Sequence, residues 1–220
     1  MWWKENKWRV IVPALFLAVL LIAFFAGGKA PKRTDNAEMA AATPSANTME
    51  PDPETGKDRY QTDPVPEGKP LPVEPEDAEI TDESHTCTIS ISCAAILENM
   101  ELCDPEKREL VPGDGWILQP TEVTFYEGES VFHVLKRTCK QNGIHLEFEN
   151  TPIYNSAYIE GIHNLYEFDV GELSGWMYSV NGWYPNYGCS RYAVQDGDMI
   201  EWRYTCDLGY DVGGGYAVGG

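Results

Sequence analysis

The sequence predicts an α+β domain, with one helix packed on a mixed or antiparallel sheet with hairpins, carried behind a single transmembrane helix and a disordered stalk. Three observations predict it. The run Thr86 to Cys93 alternates polar and apolar residues without a break, which is the period of a half-buried strand. A single amphipathic helical stripe follows Ser130. The late turns Asn181-Gly182 and Asp196-Gly197 are flanked by aromatic and β-branched residues, the signature of strands closed by tight turns.

The first element is the anchor. No charged residue occurs from Val10 to Gly28, and the stretch to Phe25 is almost wholly apolar. At about 1.5 Å per residue such a helix crosses a hydrocarbon core of about 30 Å. Pro13 lies in its first turn, where a missing amide donor costs little. Residues 1–9 hold Lys4, Lys7 and Arg9 with Trp2, Trp3 and Trp8, which suits a cytoplasmic, interfacial N-terminus. The competing reading is a cleaved signal peptide. No small-x-small site follows Phe25 and no cysteine near position 26 offers a lipid attachment point, so 10–28 reads as an uncleaved signal anchor. The expected location is the cell membrane, single-pass, with the C-terminal part outside the cytoplasm.

Residues 29–84 read as a stalk. Between 31 and 84 there are nine prolines, 14 acidic and five basic side chains, and one aromatic residue, Tyr60. So little apolar surface does not offset the entropy of ordering, and proline with charge repulsion favours an extended, disordered tether.

The folded domain is expected over 85–208, followed by a flexible glycine-rich tail, 209–220. The first strand places Cys87, Ile89, Ile91 and Cys93 on one face. A short helical piece, 94–100, leads into a loop from Asp104 to Pro120, and Val123 and Phe125 mark a second short strand. Ser130 is a fitting N-cap. Val131, Val134, Leu135, Thr138 and Cys139 then fall on one helical face, and Asn142-Gly143 closes the helix through a left-handed cap. Ile144, Leu146 and Phe148 alternate in a third strand, and a loop rich in Tyr and Asn follows. Trp176 to Val180 runs through Asn181-Gly182 into Trp183-Tyr184, which predicts a tight hairpin. Ile200, Trp202, Tyr204 and Cys206 share one face of a last, central strand.

Charge and motif content narrow the function. The formal net charge is −19, which disfavours nucleic acid as a partner and confines membrane contact to residues 10–28. The four histidines are scattered, with no metal-ligand spacing. His163, in the loop Tyr154 to Leu165, is the best single candidate for an axial ligand, against the plainer reading of a surface loop histidine. No phosphate loop, dinucleotide fingerprint or nucleophile elbow occurs, and Cys139 with His145 makes an unconvincing nucleophile and base because Cys139 lies on the apolar stripe. No catalytic residue and no metal set is assigned. Six cysteines in an exported domain suggest a disulfide framework. Cys189 with Cys206 is the first pairing expected, since it would tie the loop after the hairpin to the last strand, while Cys93 and Cys139 also suit small buried thiols.

The residues Gly175 to Gly182, Cys189-Ser190-Arg191-Tyr192 and Asp196-Gly197-Asp198-Met199-Ile200-Glu201-Trp202-Arg203 resemble the transcobalamin-like C-terminal domain family, domain of unknown function 4430. The helix start Gly128-Glu129-Ser130-Val131 fits as well. The resemblance covers roughly 86–206. It implies a β-grasp-like roll displayed on a cell surface, similar to the small C-terminal β-domain that closes over one face of cobalamin in transcobalamin and intrinsic factor. The large helical domain and the cobalt-ligating histidine of those carriers have no counterpart in this sequence.

Trp176, Tyr178, Trp183, Tyr184, Tyr187 and Tyr192 are therefore the candidate ligand-binding residues, with Trp183, Tyr184 and Tyr187 expected at an exposed tip. Such rings suit a small flat ligand, a cobalamin or related corrinoid or tetrapyrrole, or another surface protein. The alternative for the cluster is the core of a small domain. The alternative for the chain is a structural or adhesion module recognising a protein partner or cell-wall glycan.

Overall fold

In the computed structural model, residues 52–215 are described. The anchor (10–28), the preceding residues 1–9, the first part of the stalk and the end of the tail lie outside them. Among the described residues no helix is long and apolar enough to cross a membrane.

The alternating run becomes β1 (Ser84–Ser92), followed by α1 (Ala94–Leu97). Next come β2 (Trp116–Tyr126), α2 (Val131–Asn142), β3 (Leu146–Thr151), β4 (Ser156–Ile162), β5 (Leu165–Tyr166), β6 (Gly175–Val180) and β7 (Met199–Thr205). The class is α+β. One sheet has the order β2-β1-β7-β6 and is mixed: β1 runs parallel to β7 and antiparallel to β2, while β6 runs antiparallel to β7. A second, antiparallel sheet has the order β3-β4-β5.

The expected strand face holds. Cys87, Ile89 and Ile91 are buried and pack in one cluster with Ile200 and Trp202 from β7 and with α2. The apolar row of β1 and β7 continues into a second cluster, where Cys93 and Tyr204 meet Ile96, Cys103, Leu165 and Val170. β7 is central, as its apolar pattern requires. The helix matches its sequence reading residue for residue. Val131, Val134, Leu135, Thr138 and Cys139 are its buried face, and Gly143 closes it at φ 66°. At its start Ser130 forms a reciprocal capping box with His133, whose Nδ1 accepts the Ser130 amide at 3.1 Å.

Other elements differ from expectation. β2 is longer than expected and runs through Pro120, because it is the edge of the sheet, where a missing amide need not break a ladder. The register slips by one residue there, with Ile89 opposite Thr121 and Ile91 opposite Leu118. The stretch expected to be one loop from Tyr154 to Leu165 contains β4, and His163 sits with Asn164 in the left-handed turn that joins β4 to β5. The Asn181-Gly182 turn forms, with Val180 and Trp183 exchanging backbone hydrogen bonds of 2.8 and 3.0 Å. It does not extend into a hairpin, because β6 pairs with β7 instead. Tyr210–Val212 form a 3-10 turn whose Val212 carbonyl accepts the Tyr184 hydroxyl at 2.7 Å, and Asp211 accepts the Cys206 amide. The tail expected at 209 is therefore docked as far as it is described.

The largest correction concerns the stalk. Residues 52–83 do not stand away from the domain but lie along it as a strap. Val73 donates its amide to the Arg191 carbonyl at 2.8 Å, Tyr187 donates its hydroxyl to the Pro70 carbonyl at 2.8 Å, and Asn186 donates to the Asp63 carbonyl at 3.0 Å. Composition predicts disorder because it averages over a segment, whereas a few specific polar bonds to one partner surface suffice to order it.

The strap reaches β1 under Gly128, which turns at φ 85°; a Cβ there would lie 2.1 Å from the Glu79 carbonyl oxygen. The Gly128→Ala variant is expected to lose on the order of 3 kcal/mol of stability through that clash and the left-handed backbone, read as a lowered Tm.

Candidate functional site

The site grows from Arg191, which is 1% exposed. A buried guanidinium has to be paired, and among the described residues the hydrogen-bond partners of this one all come from the strap. Nε and Nη2 donate to Glu74 Oε1 at 3.1 and 2.6 Å, Nη2 donates to Asp58 Oδ2 at 2.6 Å, and Nη1 donates to Thr62 Oγ1 at 2.5 Å. The Tyr60 ring lies 5.0 Å from the guanidinium carbon. Glu74 and Thr62 are buried by this contact. Burial raises the Asp58 carboxyl, but the Arg191 hydrogen bond, the Thr62 amide and the Arg191 charge outweigh it and hold the group below its ordinary 3.8.

Beside this ion cluster opens a cleft of about 470 Å³, within the size range of small-molecule sites. Segments far apart in sequence form it, with Met177 of β6 between them. The strap supplies Tyr60, Gln61 and Thr62. The β3–β4 hairpin supplies Tyr154 and Tyr158, and the loop after β6 supplies Asn186, Tyr187 and Arg191. Tyr154 and Tyr158 are half exposed, so ring faces are available at the rim. The Tyr158 hydroxyl donates to Glu167, which fixes the ring and pushes its own ionisation up, after burial. Asn186 turns its amide nitrogen to the strap, leaving Oδ1 buried without a hydrogen-bond partner. An unpaired acceptor at a cleft wall is unusual enough to require a reason.

The aromatic residues expected to form an exposed tip are mainly core. Trp183, Tyr184, Tyr187 and Tyr192 are buried, as is Tyr178, and Trp176 is half-buried with its indole donating to the Leu165 carbonyl at 2.8 Å. Tyr187 stacks on Tyr192 at 6.2 Å and 21°, and Lys69 of the strap covers Trp183 at 5.3 Å. Part of the predicted cluster thus lies under the strap, and Tyr187 alone of the six lines the cleft. Tyr60, Tyr154 and Tyr158, which complete it, escaped sequence reasoning because they are single tyrosines in segments without a motif.

Cysteines and histidines are also redistributed. All six cysteines are free thiols. Cys189 packs in the main core with Cys87 and Cys139, whereas Cys206 packs with Cys93 and Cys103 in the smaller cluster, so the expected Cys189–Cys206 bond is not formed. Burial pushes the Cys139 thiol up to about 12, the opposite of what a nucleophile needs. Glu83, His85 and Glu127 bring three potential ligand atoms within 4.8 Å of one another at the open end of the β1–β2 pair. Glu127 faces Glu83 across the strands, a relation that no spacing along the sequence expresses. His163 is not part of that group.

Family comparison agrees with the sequence motifs. Residues 128–206 match the family described as Domain of unknown function (DUF4430). The DUF4430 segment contains α2, both strands of the late turn region and Arg191, but not the strap, β1 or β2. No curated protein matches the chain. Among solved structures, haptocorrin in complex with Cbi is similar at 18% identity and a TM-score of 0.43, over 58% of this chain and 26% of that one. This chain thus spans about a quarter of the haptocorrin chain. A candidate metal binding protein from Ruminococcus gnavus ATCC 29149 is similar at 17% identity and a TM-score of 0.32, over 55% of this chain and 96% of that one.

Two outcomes follow from the Arg191 cluster. Glu74→Ala leaves the guanidinium short of a counter-charge and is expected to cost about 3 kcal/mol, with faster trypsin cleavage after Arg59 as a second readout. Because the folded Asp58 carboxyl sits below 3.8, its contribution is complete above that pH and is lost as pH falls further. Trypsin is inactive in acid, so pepsin cleavage of the strap between pH 4 and pH 2 is the appropriate measurement, and Asp58→Asn should flatten its pH dependence.

Proposed function

We propose that this chain is a membrane-tethered, surface-displayed binding module without catalytic activity, whose β-grasp-like domain holds a small flat ligand at the tyrosine-lined cleft. The observation that carries the reading is the cleft itself. Tyr154 and Tyr158 present apolar ring faces with polar edges, with Tyr60 and the buried Tyr187 in the lining, beside a charged cluster and an unpaired amide oxygen. Rings of this kind take planar, partly apolar groups carrying hydrogen-bonding substituents. A corrinoid fits that description, and the resemblance of residues 86–206 to the transcobalamin-like C-terminal domain family supports the choice. Its macrocycle exceeds a cleft of about 470 Å³, so the domain would contact one face or edge, as a cap does, and a second cobalamin-binding protein is the natural holder of the other.

The anchor expected over 10–28 would place this module at the cell membrane. The thiol of Cys139, buried and raised to about 12, supports a non-catalytic role. Recognition of a protein partner is favoured by a different observation, the exposed Ile153, Tyr154 and Tyr158 on the β3–β4 hairpin.

Titrating the full chain in detergent micelles into cobinamide should shift the visible spectrum of the corrinoid and quench tryptophan fluorescence. Tyr154→Ala and Tyr158→Ala, both at exposed positions, should each weaken binding about fivefold or more, the worth of one aromatic contact. Absence of both optical changes would remove the corrinoid reading and leave the hairpin as a protein-contact surface.

A further inference from the structure

We propose that Arg191 is an acid-recognising anchor of this ligand site, occupied by the strap carboxylates Asp58 and Glu74 until a ligand bearing a free carboxylate exchanges for them. The inference rests on the cleft being the ligand site and names the chemistry of what enters it.

Four hydrogen bonds join the Arg191 guanidinium to the strap, and all four go to Asp58, Thr62 or Glu74, beside the Val73 amide that donates to the Arg191 carbonyl. The arginine lies within the DUF4430 segment and the strap lies outside it. The domain therefore carries a buried cation that its own DUF4430 segment does not neutralise. A carboxylate is what a guanidinium fork selects, whether it arrives on a side chain or on a ligand.

The manner in which the strap is held makes exchange feasible. Leu71 is 72% exposed, and Val73 and Ile80 also face solvent, so apolar burial contributes little; Val65 alone of its aliphatic residues packs against the main core. What remains is polar: the Arg191 cluster, the Tyr187 and Asn186 bonds, and the Asn155 amide donating to Glu74 and Glu76 at 2.6 and 2.8 Å. An incoming acid replaces the bonds to Asp58 and Glu74 in kind and returns those carboxylates to water. Little apolar surface has to be exposed in the exchange.

The surroundings define the rest of the ligand. Arg191 lines the same cleft as Asn186, whose Oδ1 lacks a donor. A molecule with one carboxylate for Arg191 and an amide N–H for Asn186 satisfies both. Withdrawal of the strap also removes Lys69 from Trp183 and the Pro70 carbonyl from Tyr187, which opens the stacked Tyr187–Tyr192 pair to a planar ring.

Two corrinoids separate the possibilities. Cobyric acid carries one free side-chain carboxylate among amides; in cobinamide that carboxylate is amidated. On the full chain in detergent micelles, cobyric acid is expected to bind about tenfold more tightly, the worth of one charge-assisted hydrogen bond. It should also accelerate trypsin cleavage between Arg59 and Tyr60, which cobinamide should do far less. Asp58→Asn with Glu74→Gln should raise the affinity for cobyric acid, and Arg191→Gln should abolish the preference between the two compounds. Equal binding of both corrinoids overturns the acid anchor while the flat-ligand reading stands; binding of neither overturns both. If Arg191→Gln fails to fold by near-UV circular dichroism, the double variant decides, and unchanged affinity there counts against the proposal.

Discussion

A guanidinium that is almost wholly withdrawn from water organises this protein. Arg191 cannot be buried alone, because an unpaired charge in a low-dielectric interior costs several kcal/mol. The two carboxylates that make its burial tolerable belong to a segment more than a hundred residues earlier, which is thereby fixed along the domain. Once docked, that segment forms one wall of the tyrosine cleft, covers Trp183 and Tyr187 and leads the chain into β1. The shape of the ligand site therefore depends on an ion cluster, while the sheets and α2 supply the rigid ground against which it is built.

The two kinds of contact differ in their sensitivity to conditions. The core of Ile89, Ile91, Ile200, Trp202 and the α2 stripe is held by apolar burial, which does not depend on the protonation of any group. Arg191 with Asp58 and Glu74 responds to protonation and to competing anions. A domain with both can keep its fold intact while one margin of its binding cleft loosens.

Much of the fold was legible because its signals are local and periodic. The α2 stripe from Val131 to Cys139, its Ser130 cap and its Gly143 end are each set by residues a few positions apart, and the alternation in β1 and β7 is equally local. The Asn181-Gly182 turn was also legible, but its expected extension was not, because β7 competes for β6 across the sheet. The cleft was only partly legible. Tyr187 was singled out within an aromatic cluster, yet whether a ring in such a cluster faces the core or a ligand is decided by packing. Tyr60, Tyr154 and Tyr158 meet it only through tertiary structure. The strap was misread because its proline-rich, acidic composition hides three well-placed side chains, and the cysteine pairing because sequence does not sort six thiols between two cores. Arg191 offered one usable clue: it is one of few basic residues in an acidic domain that follows an even more acidic segment.

The parallel pairing of β1 with β7 carries a consequence for how the chain reaches this state. Thr88 pairs with Met199, so the central ladder closes only after nearly all of the domain has been synthesised. Until then the apolar face of β1 has only its antiparallel neighbour β2, and α2 has no completed sheet to cover. Long-range closure of this kind is slow relative to local helix and hairpin formation. Topology therefore makes two contacts wait for the end of the chain: β1 meets β7, and the strap meets Arg191, which lies just before β7, only once residues close to the C-terminus of the domain are available.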